Sequence, residues 1–310
     1  MKIAFVFPGQ GSQSVGMLDA WAGNEAVAGV LDRASAALGQ DLGALIAQGP
    51  AEQLNLTTNT QPAMLASAMA VYEAWIAAGG PAPEVLAGHS LGEYSALTAA
   101  GSLRLEDAVS LVRVRADAMQ AAVPVGTGGM AAVLGLDDAA VLAACAEAAQ
   151  GEVVEAVNFN APAQVVIAGH KAAVERACEL CRAAGAKRAL VLPVSAPFHS
   201  RLLEPAAAVL QRALQGIEVA APRVPLINNV DVASPAEPAA IKDALVRQAW
   251  HPVRWVEVIQ AMKARGVTHV VECGPGKVLN GLTKRIDRDL TGLAISDPAS
   301  LQAALETLRG

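Results

Sequence analysis

Gly88-His89-Ser90-Leu91-Gly92 is a G-x-S-x-G element, and its flanks give it a chemical reading. Upstream, residues 84–87 form a short apolar run bounded by Pro81 and Pro83, as a buried strand would be. Downstream, residues 91–100 continue as a helix without a breaker. A strand turning sharply into a helix strains the residue at the corner. Glycines two positions to either side remove the Cβ atoms that would collide there, so the hydroxyl stands exposed and the next backbone N–H points at the reaction site. The five-residue pattern is common by itself, but strand before and helix after make Ser90 a candidate nucleophile rather than a plain turn serine.

A serine hydroxyl needs a base at neutral pH, and the chain has five histidines. His89 adjoins Ser90 and should point away across the turn. His170 precedes a helix as a cap or loop residue, His269 sits in an apolar strand as a satisfied core histidine, and His251 marks a helix-to-loop boundary. His199 lies in Ser195-Ala196-Pro197-Phe198-His199-Ser200, a loop whose side chains can face a cleft. Spacing alone does not decide between His199 and the other four together. No acidic residue close to His199 offers itself as a third member, so a backbone or amide carbonyl is the expected orienting group.

Arg115 is the least expected residue. On a helix over 106–121, Val109, Leu111, Val112, Ala116 and Met119 define an apolar face with Arg115 in its middle. Glu106, Ser110, Arg113 and Asp117 form the opposite, polar stripe, which makes Arg113 a surface charge. An inward guanidinium must meet an anion or several carbonyls, because burying it alone costs several kcal/mol. Two readings stay open: a structural pair with an internal carboxylate, or a receptor gripping a substrate carboxylate through two parallel hydrogen bonds.

Other motifs carry less. Gly9-Gln10-Gly11-Ser12-Gln13 and Cys273-Gly274-Pro275-Gly276-Lys277 lack the spacing of a dinucleotide fingerprint or a P-loop. Pro8-Gly9-Gln10 is instead placed to present a backbone N–H toward the serine, as a second oxyanion donor. Cys178 and Cys181 form a C-x-x-C inside a helical pattern with no second ligand pair, so they read as small core residues, and no metal is assigned.

The elements that must position these residues alternate between strand (3–7, 84–87) and helix (62–78, 91–100, 106–121), the rhythm of a parallel α/β sheet covered on both faces. At Pro124-Val125-Gly126-Thr127-Gly128-Gly129 the rhythm changes. Strand 130–136, helix 138–149, strands 153–158 and 164–168, helix 171–184 and strand 188–194 follow in the β-α-β-β-α-β order of a ferredoxin-like unit. From Ser195 the larger pattern resumes, with strands at 224–228 and 267–272. The expected organisation is a large unit of residues 1–125 and 195–310 carrying an inserted unit of residues 126–194, with a ligand cleft between them.

Among 310 residues, 53% are hydrophobic and only 3% aromatic, and the net charge is −6, which gives no overall basic field for nucleic acid. No apolar run is long enough to span a bilayer, and the N-terminus lacks signal-peptide features, so the expectation is a cytoplasmic protein that works off the membrane. A monomer is the working expectation.

Together, FVFPGQGSQ at 5–13, AGHSLGEYSAL at 87–97, Arg115, NFNAPAQVVIAGH at 158–170, SAPFHS at 195–200, LVRQAWHPVRW at 245–255 and GPGKVL at 274–279 resemble the malonyl-CoA:acyl carrier protein transacylases over almost the full chain. The resemblance implies an α/β-hydrolase-like large domain with a ferredoxin-like insert. It implies ping-pong transfer of malonyl from malonyl-CoA to acyl carrier protein for fatty acid synthesis, with Ser90 as acyl carrier and His199 as base. Gln10 and Leu91 would give backbone N–H groups to the oxyanion, Arg115 would grip the malonyl carboxylate, and the main-chain carbonyl of Gln248 would orient His199. Phe198 fits the malonyl-type loop, and no catalytic position departs from the pattern. Coenzyme A enters as a substrate thioester, and no metal or redox cofactor is implied. A thioesterase or esterase using the same serine and histidine is the alternative, and a non-catalytic carrier-binding module is a third reading that the intact serine, histidine and arginine count against. An acidic carrier would need local basic surface, for which Lys187-Arg188 and Lys284-Arg285-Arg288 are candidates. His199 as base should lose activity near or below its ordinary pKa of about 6.5.

Overall fold

Ile3–Phe7 (β1) is apolar at every position, and both its faces are covered. Phe5 and Phe7 turn to one side, where their rings meet Tyr72, and Phe5 also packs on Trp75. Ala4 and Val6 turn to the other, in a cluster with Trp255, Ile259 and Met262. A strand buried on both faces reads as a continuous apolar run, and that places β1 inside a parallel sheet. The protein is described here from a computed structural model, covering residues 1–194 and 196–309; the expected return to the large unit at Ser195 lies outside the described residues.

In chain order the further strands are β2 (Val85–Gly88), β3 (Gly128–Leu134), β4 (Val154–Ala161), β5 (Gln164–His170), β6 (Arg188–Val191), β7 (His269–Cys273) and β8 (Thr291–Ile295). One sheet has the order β2-β1-β7-β8 and is parallel throughout. Helices Glu25–Leu38, Thr57–Ala77 and Leu105–Ala121 contribute to the core on its Phe5 side, and Trp255–Ala264 and Val278–Ile286 to that on the Val6 side. The second sheet is antiparallel in the order β4-β5-β3-β6, with helices Asp138–Ala149 and Lys171–Ala183 sharing a separate core with it. Among the described residues no helix is long and apolar enough to cross a membrane.

Several expected boundaries move for physical reasons. The helix expected from Pro62 starts at Thr57 and holds Pro62 inside it. A proline this close to the start forfeits a single backbone bond, and the buried Thr57, Thr60 and Gln61 hold the extra turn in the core. The strand expected at 188–194 ends at Val191, because Pro193 has no N–H for a ladder. The strand expected at 224–228 is reduced to one parallel bridge, Leu86 to Leu226, after which Asn228 turns the chain by accepting from the Asp231 N–H at 2.9 Å. Strand β8 was not expected at all. β4 runs on past Asn158 through irregular pairing to Ala161, and Phe159 N–H and Val253 N–H bond across to Val253 and Val157 carbonyls, tying the small sheet to the large unit beside the site.

Candidate active site

Ser90 stands at the corner between β2 and helix Gly92–Ala99 with φ 53°, in the left-handed region. That conformation costs a residue with a side chain about 1–2 kcal/mol, so its surroundings must hold it. A Cβ on Gly88 would lie 1.8 Å from the Gly92 carbonyl, one on Gly92 2.1 Å from the Phe7 oxygen, and one on Gly9 2.6 Å from the His89 oxygen. Three glycines thus let the end of β1, the loop after it and the serine corner close on one another.

The Ser90 hydroxyl has two partners. His199 Nε2 lies 2.6 Å from Oγ, and Arg115 Nη2 donates to Oγ at 3.2 Å. His199 Nδ1 is 2.9 Å from the main-chain oxygen of Gln248. A carbonyl can only accept, so Nδ1 carries the proton and Nε2 offers its lone pair to the serine O–H. Burial, and then the Arg115 charge, push this imidazole down to about 3. Of the expected range, near or below pH 6.5, this burial favours the lower part: inside this pocket the free imidazole stays neutral well below 6.5.

Arg115 is buried on the face the helix periodicity placed it on. Its acceptors are neutral: Gln61 Oε1 at 2.8 Å and Gln248 Oε1 at 3.0 Å, with the Tyr94 ring 5.4 Å from the guanidinium carbon. No carboxylate among the described residues forms an ion pair with it, so the structural-pair reading fails in its simple form. Burial works against the charge, and Tyr94 and Glu93 partly offset that. Arg113, expected at the surface, is half-buried against Gln40 and Asn59 instead, because helix Glu25–Leu38 and its following turn cover that stripe.

Gln248 joins these parts. Its main-chain carbonyl orients His199, its Oε1 accepts from Arg115, and its Nε2 donates to the Ser90 carbonyl at 2.9 Å and to Glu93 at 3.1 Å. Glu93 is buried, and its carboxyl is raised to about 7 by that burial.

These groups face a cavity of about 590 Å³. Gln10, Leu91 and Gln61 line it beside the serine, and Met130, Val166 and Phe198 form an apolar wall. Neither the Gln10 nor the Leu91 backbone N–H has an acceptor among the described residues. A hollow of about 730 Å³ near Pro124 and Arg201 is lined by His170 but by none of Ser90, His199, Arg115, Gln10, Leu91 or Gln248.

The remaining histidines stay outside this chemistry. His89 turns to Asn160 (2.7 Å) and Trp255, and His170 accepts from the Val153 N–H. His251 bonds the Arg247 carbonyl. His269 is not a core residue as expected but half-buried at the start of β7, against the Thr268 hydroxyl. Cys178 and Cys181 are free, buried core residues, and among the described residues no cluster of three His, Cys, Asp or Glu is placed to hold a metal.

The family described as acyl transferase domain matches residues 4–290. This chain belongs to that family. The acyltransferase is 58% identical over 306 residues to the malonyl CoA-acyl carrier protein transacylase of Escherichia coli (strain K12), covering 98% of this chain and 99% of the relative. A solved acyl-carrier-protein S-malonyltransferase from Burkholderia pseudomallei superposes with a TM-score of 0.98 at 66% identity, over 99% of this chain and 100% of the other. A second structure, a type II PKS acyl-carrier protein in complex with its malonyl-transacylase, gives 0.98 at 52% identity, over 99% and 100%.

Sequence reasoning about this acyltransferase missed Glu93, Gln61 and Asn229. Glu93 carried a usable signal: a lone charge in the otherwise uncharged stretch 91–100 invites the same question as Arg115. Asn229 carried none, since it reaches Ser90 only through the tertiary fold.

Proposed function

We propose that the chain is a malonyl-CoA:acyl carrier protein S-malonyltransferase that works through a malonyl-Ser90 intermediate and supplies fatty acid synthesis. The observation that carries this is Arg115: a buried cation 3.2 Å from the Ser90 hydroxyl, held by neutral amides, is a receptor for a carboxylate on the acyl group attacked by that serine.

His199 Nε2 takes the proton as Ser90 Oγ bonds to the thioester carbon. The Gln10 and Leu91 backbone N–H groups receive the oxyanion, each worth about 3 kcal/mol by comparison with other oxyanion holes. The carbon–sulfur bond then breaks, and the His199 proton goes to the departing coenzyme A sulfur. The phosphopantetheine thiol of the carrier protein repeats these steps in reverse, and no metal or redox cofactor enters. The Gln248 carbonyl replaces a triad acid by fixing the His199 tautomer. Nothing favours the thioesterase alternative, and the transacylases among the relatives support transfer.

The parallel sheet supports an α/β-hydrolase-like domain of residues 1–125 and 195–310, and the strand order β4-β5-β3-β6 supports a ferredoxin-like insert of residues 126–194. We place the enzyme in the cytoplasm as a monomer, with no nucleic-acid partner, docking its acidic carrier through Lys187-Arg188 or Lys284-Arg285-Arg288. Intact mass after mixing with malonyl-CoA should rise by one malonyl group on Ser90, and holo carrier protein should discharge it. No adduct with malonyl-CoA or acetyl-CoA, or discharge only to water, would overturn the proposal.

A further inference from the structure

Asn229 is fully buried and has no part in the chemistry above. It lies 139 residues from Ser90, yet its side chain spans the corner on which Ser90 stands. The Ser90 N–H donates to Asn229 Oδ1 at 2.7 Å, and Asn229 Nδ2 donates to the Gly88 carbonyl at 2.8 Å. These partners fix the amide orientation, because an N–H must meet the oxygen and a carbonyl must meet the NH₂ group. Asn229 is itself anchored. Its own N–H donates to the buried Glu93 carboxylate at 2.9 Å, and just before it the Leu86 N–H donates to Pro225 and the Ile227 N–H to Leu86, stitching 225–227 alongside β2.

We propose that Asn229 is a positioning residue for acyl transfer: its side-chain amide clamps the Gly88 carbonyl and the Ser90 N–H, and so fixes the direction of the Ser90 hydroxyl and of the Leu91 N–H after it. This rests on Ser90 being the acyl carrier. A serine leaves the left-handed region unless outside bonds hold it there. The two backbone groups to be held are of opposite kind, one acceptor and one donor, and a primary amide answers both in one plane. An aspartate supplies only acceptors at neutral pH, and an alanine supplies neither. Asn229 forms no hydrogen bond with Arg115 or His199, so its effect falls on the geometry of attack for every acyl donor rather than on the choice among donors.

Single-turnover acylation of N229A and N229D by malonyl-CoA and by acetyl-CoA tests this, together with labelling of Ser90 by a fluorophosphonate, which needs the nucleophile and oxyanion donors but neither a carboxylate nor coenzyme A. All three rates should fall together, by about 10²-fold per folded molecule, with the malonyl-to-acetyl ratio and the KM for malonyl-CoA unchanged. N229D matches asparagine in size and serves alone if N229A does not fold. Reaction at the wild-type rate per folded molecule, or a loss confined to malonyl-CoA, would overturn the clamp. Wild-type protein that takes the fluorophosphonate but no malonyl group would overturn the proposed function instead, and the labelling rates would still judge Asn229.

Discussion

Arg115 Nη2 and Ser90 Oγ lie 3.2 Å apart, so the cation and the hydroxyl meet before any substrate arrives. The contact has two consequences. It places positive charge where the serine oxygen loses its proton, and it sets the distance between the bond to be attacked and the point where an acyl carboxylate would be held. An arginine satisfied by Gln61 and Gln248 keeps a full charge to offer, which one neutralised by an internal carboxylate would not.

Replacing Arg115 by alanine should therefore separate two donors. Two charge-assisted hydrogen bonds to a carboxylate at about 1.5–3 kcal/mol each predict a fall of roughly 10²–10⁴ in kcat/KM for malonyl-CoA. Acetyl-CoA has no carboxylate to lose, so its transfer should fall far less. Parallel kcat/KM measurements with the two thioesters check this, and equal losses would remove Arg115 from carboxylate recognition.

The acid side of the pH profile follows from His199. Its folded pKa is lowered to about 3 by burial and then by Arg115, so the neutral base persists as pH falls through the ordinary imidazole range. The same shift has a stability sign. An unfolded chain takes up the proton near 6.5 while the folded one resists it, so the contribution of His199 to stability is full above about 6.5 and drains as pH falls toward 3. Serine acylation per folded molecule should stay level from pH 7 to 5 while unfolding temperature declines. An acylation midpoint near 6.5 with the fold intact would contradict this placement of His199.

How much of this was legible depended on how local each signal is. The Ser90 corner was readable because strand, glycines and helix occur within some fifteen residues, and Arg115 because one helix carries its whole apolar face. His199 was only one of five in spacing, since what selects it is a 2.6 Å approach across 109 residues of sequence. The strand expected at 224–228 shows the limit from the other side: apolar content suggested a ladder, but Pro225 and the turn at Asn228 leave a single bridge to β2. Asn229 depends on that bridge and on Glu93, so nothing within a sequence window could have announced it.

The glycines at the corner should show their packing in stability. Gly88→Ala forces a Cβ to 1.8 Å from the Gly92 backbone, which no side-chain movement relieves, and should cost about 3 kcal/mol or more. Gly29→Ala offers the opposite case within the same chain. It lies inside helix Glu25–Leu38 with nothing within 4 Å of the new Cβ, and should stabilise by about 0.5–1 kcal/mol. Urea midpoints at constant m-value would check the pair. A Gly88→Ala variant as stable as wild type would mean that the corner is not closed as tightly as these contacts require.

Gln248 allows main chain and side chain to be separated. Alanine at this position keeps the carbonyl that holds His199 Nδ1, and removes the amide that meets Arg115, Glu93 and the Ser90 carbonyl. Gln248→Ala should thus leave the pH dependence of acylation in place while lowering kcat/KM for malonyl-CoA by roughly tenfold, the loss of one hydrogen bond to a charged group. Gln248→Glu should do worse with malonyl-CoA than with acetyl-CoA, because a carboxylate beside Arg115 competes with that of the substrate and also faces Glu93 and the Ser90 carbonyl. Rate profiles from pH 5 to 8 with both thioesters test the two variants together. If Gln248→Ala brought an acid midpoint into this range, where the unaltered protein should be level, the side chain rather than the carbonyl would be setting the state of His199, and the backbone would have to be dropped as the third member of this site.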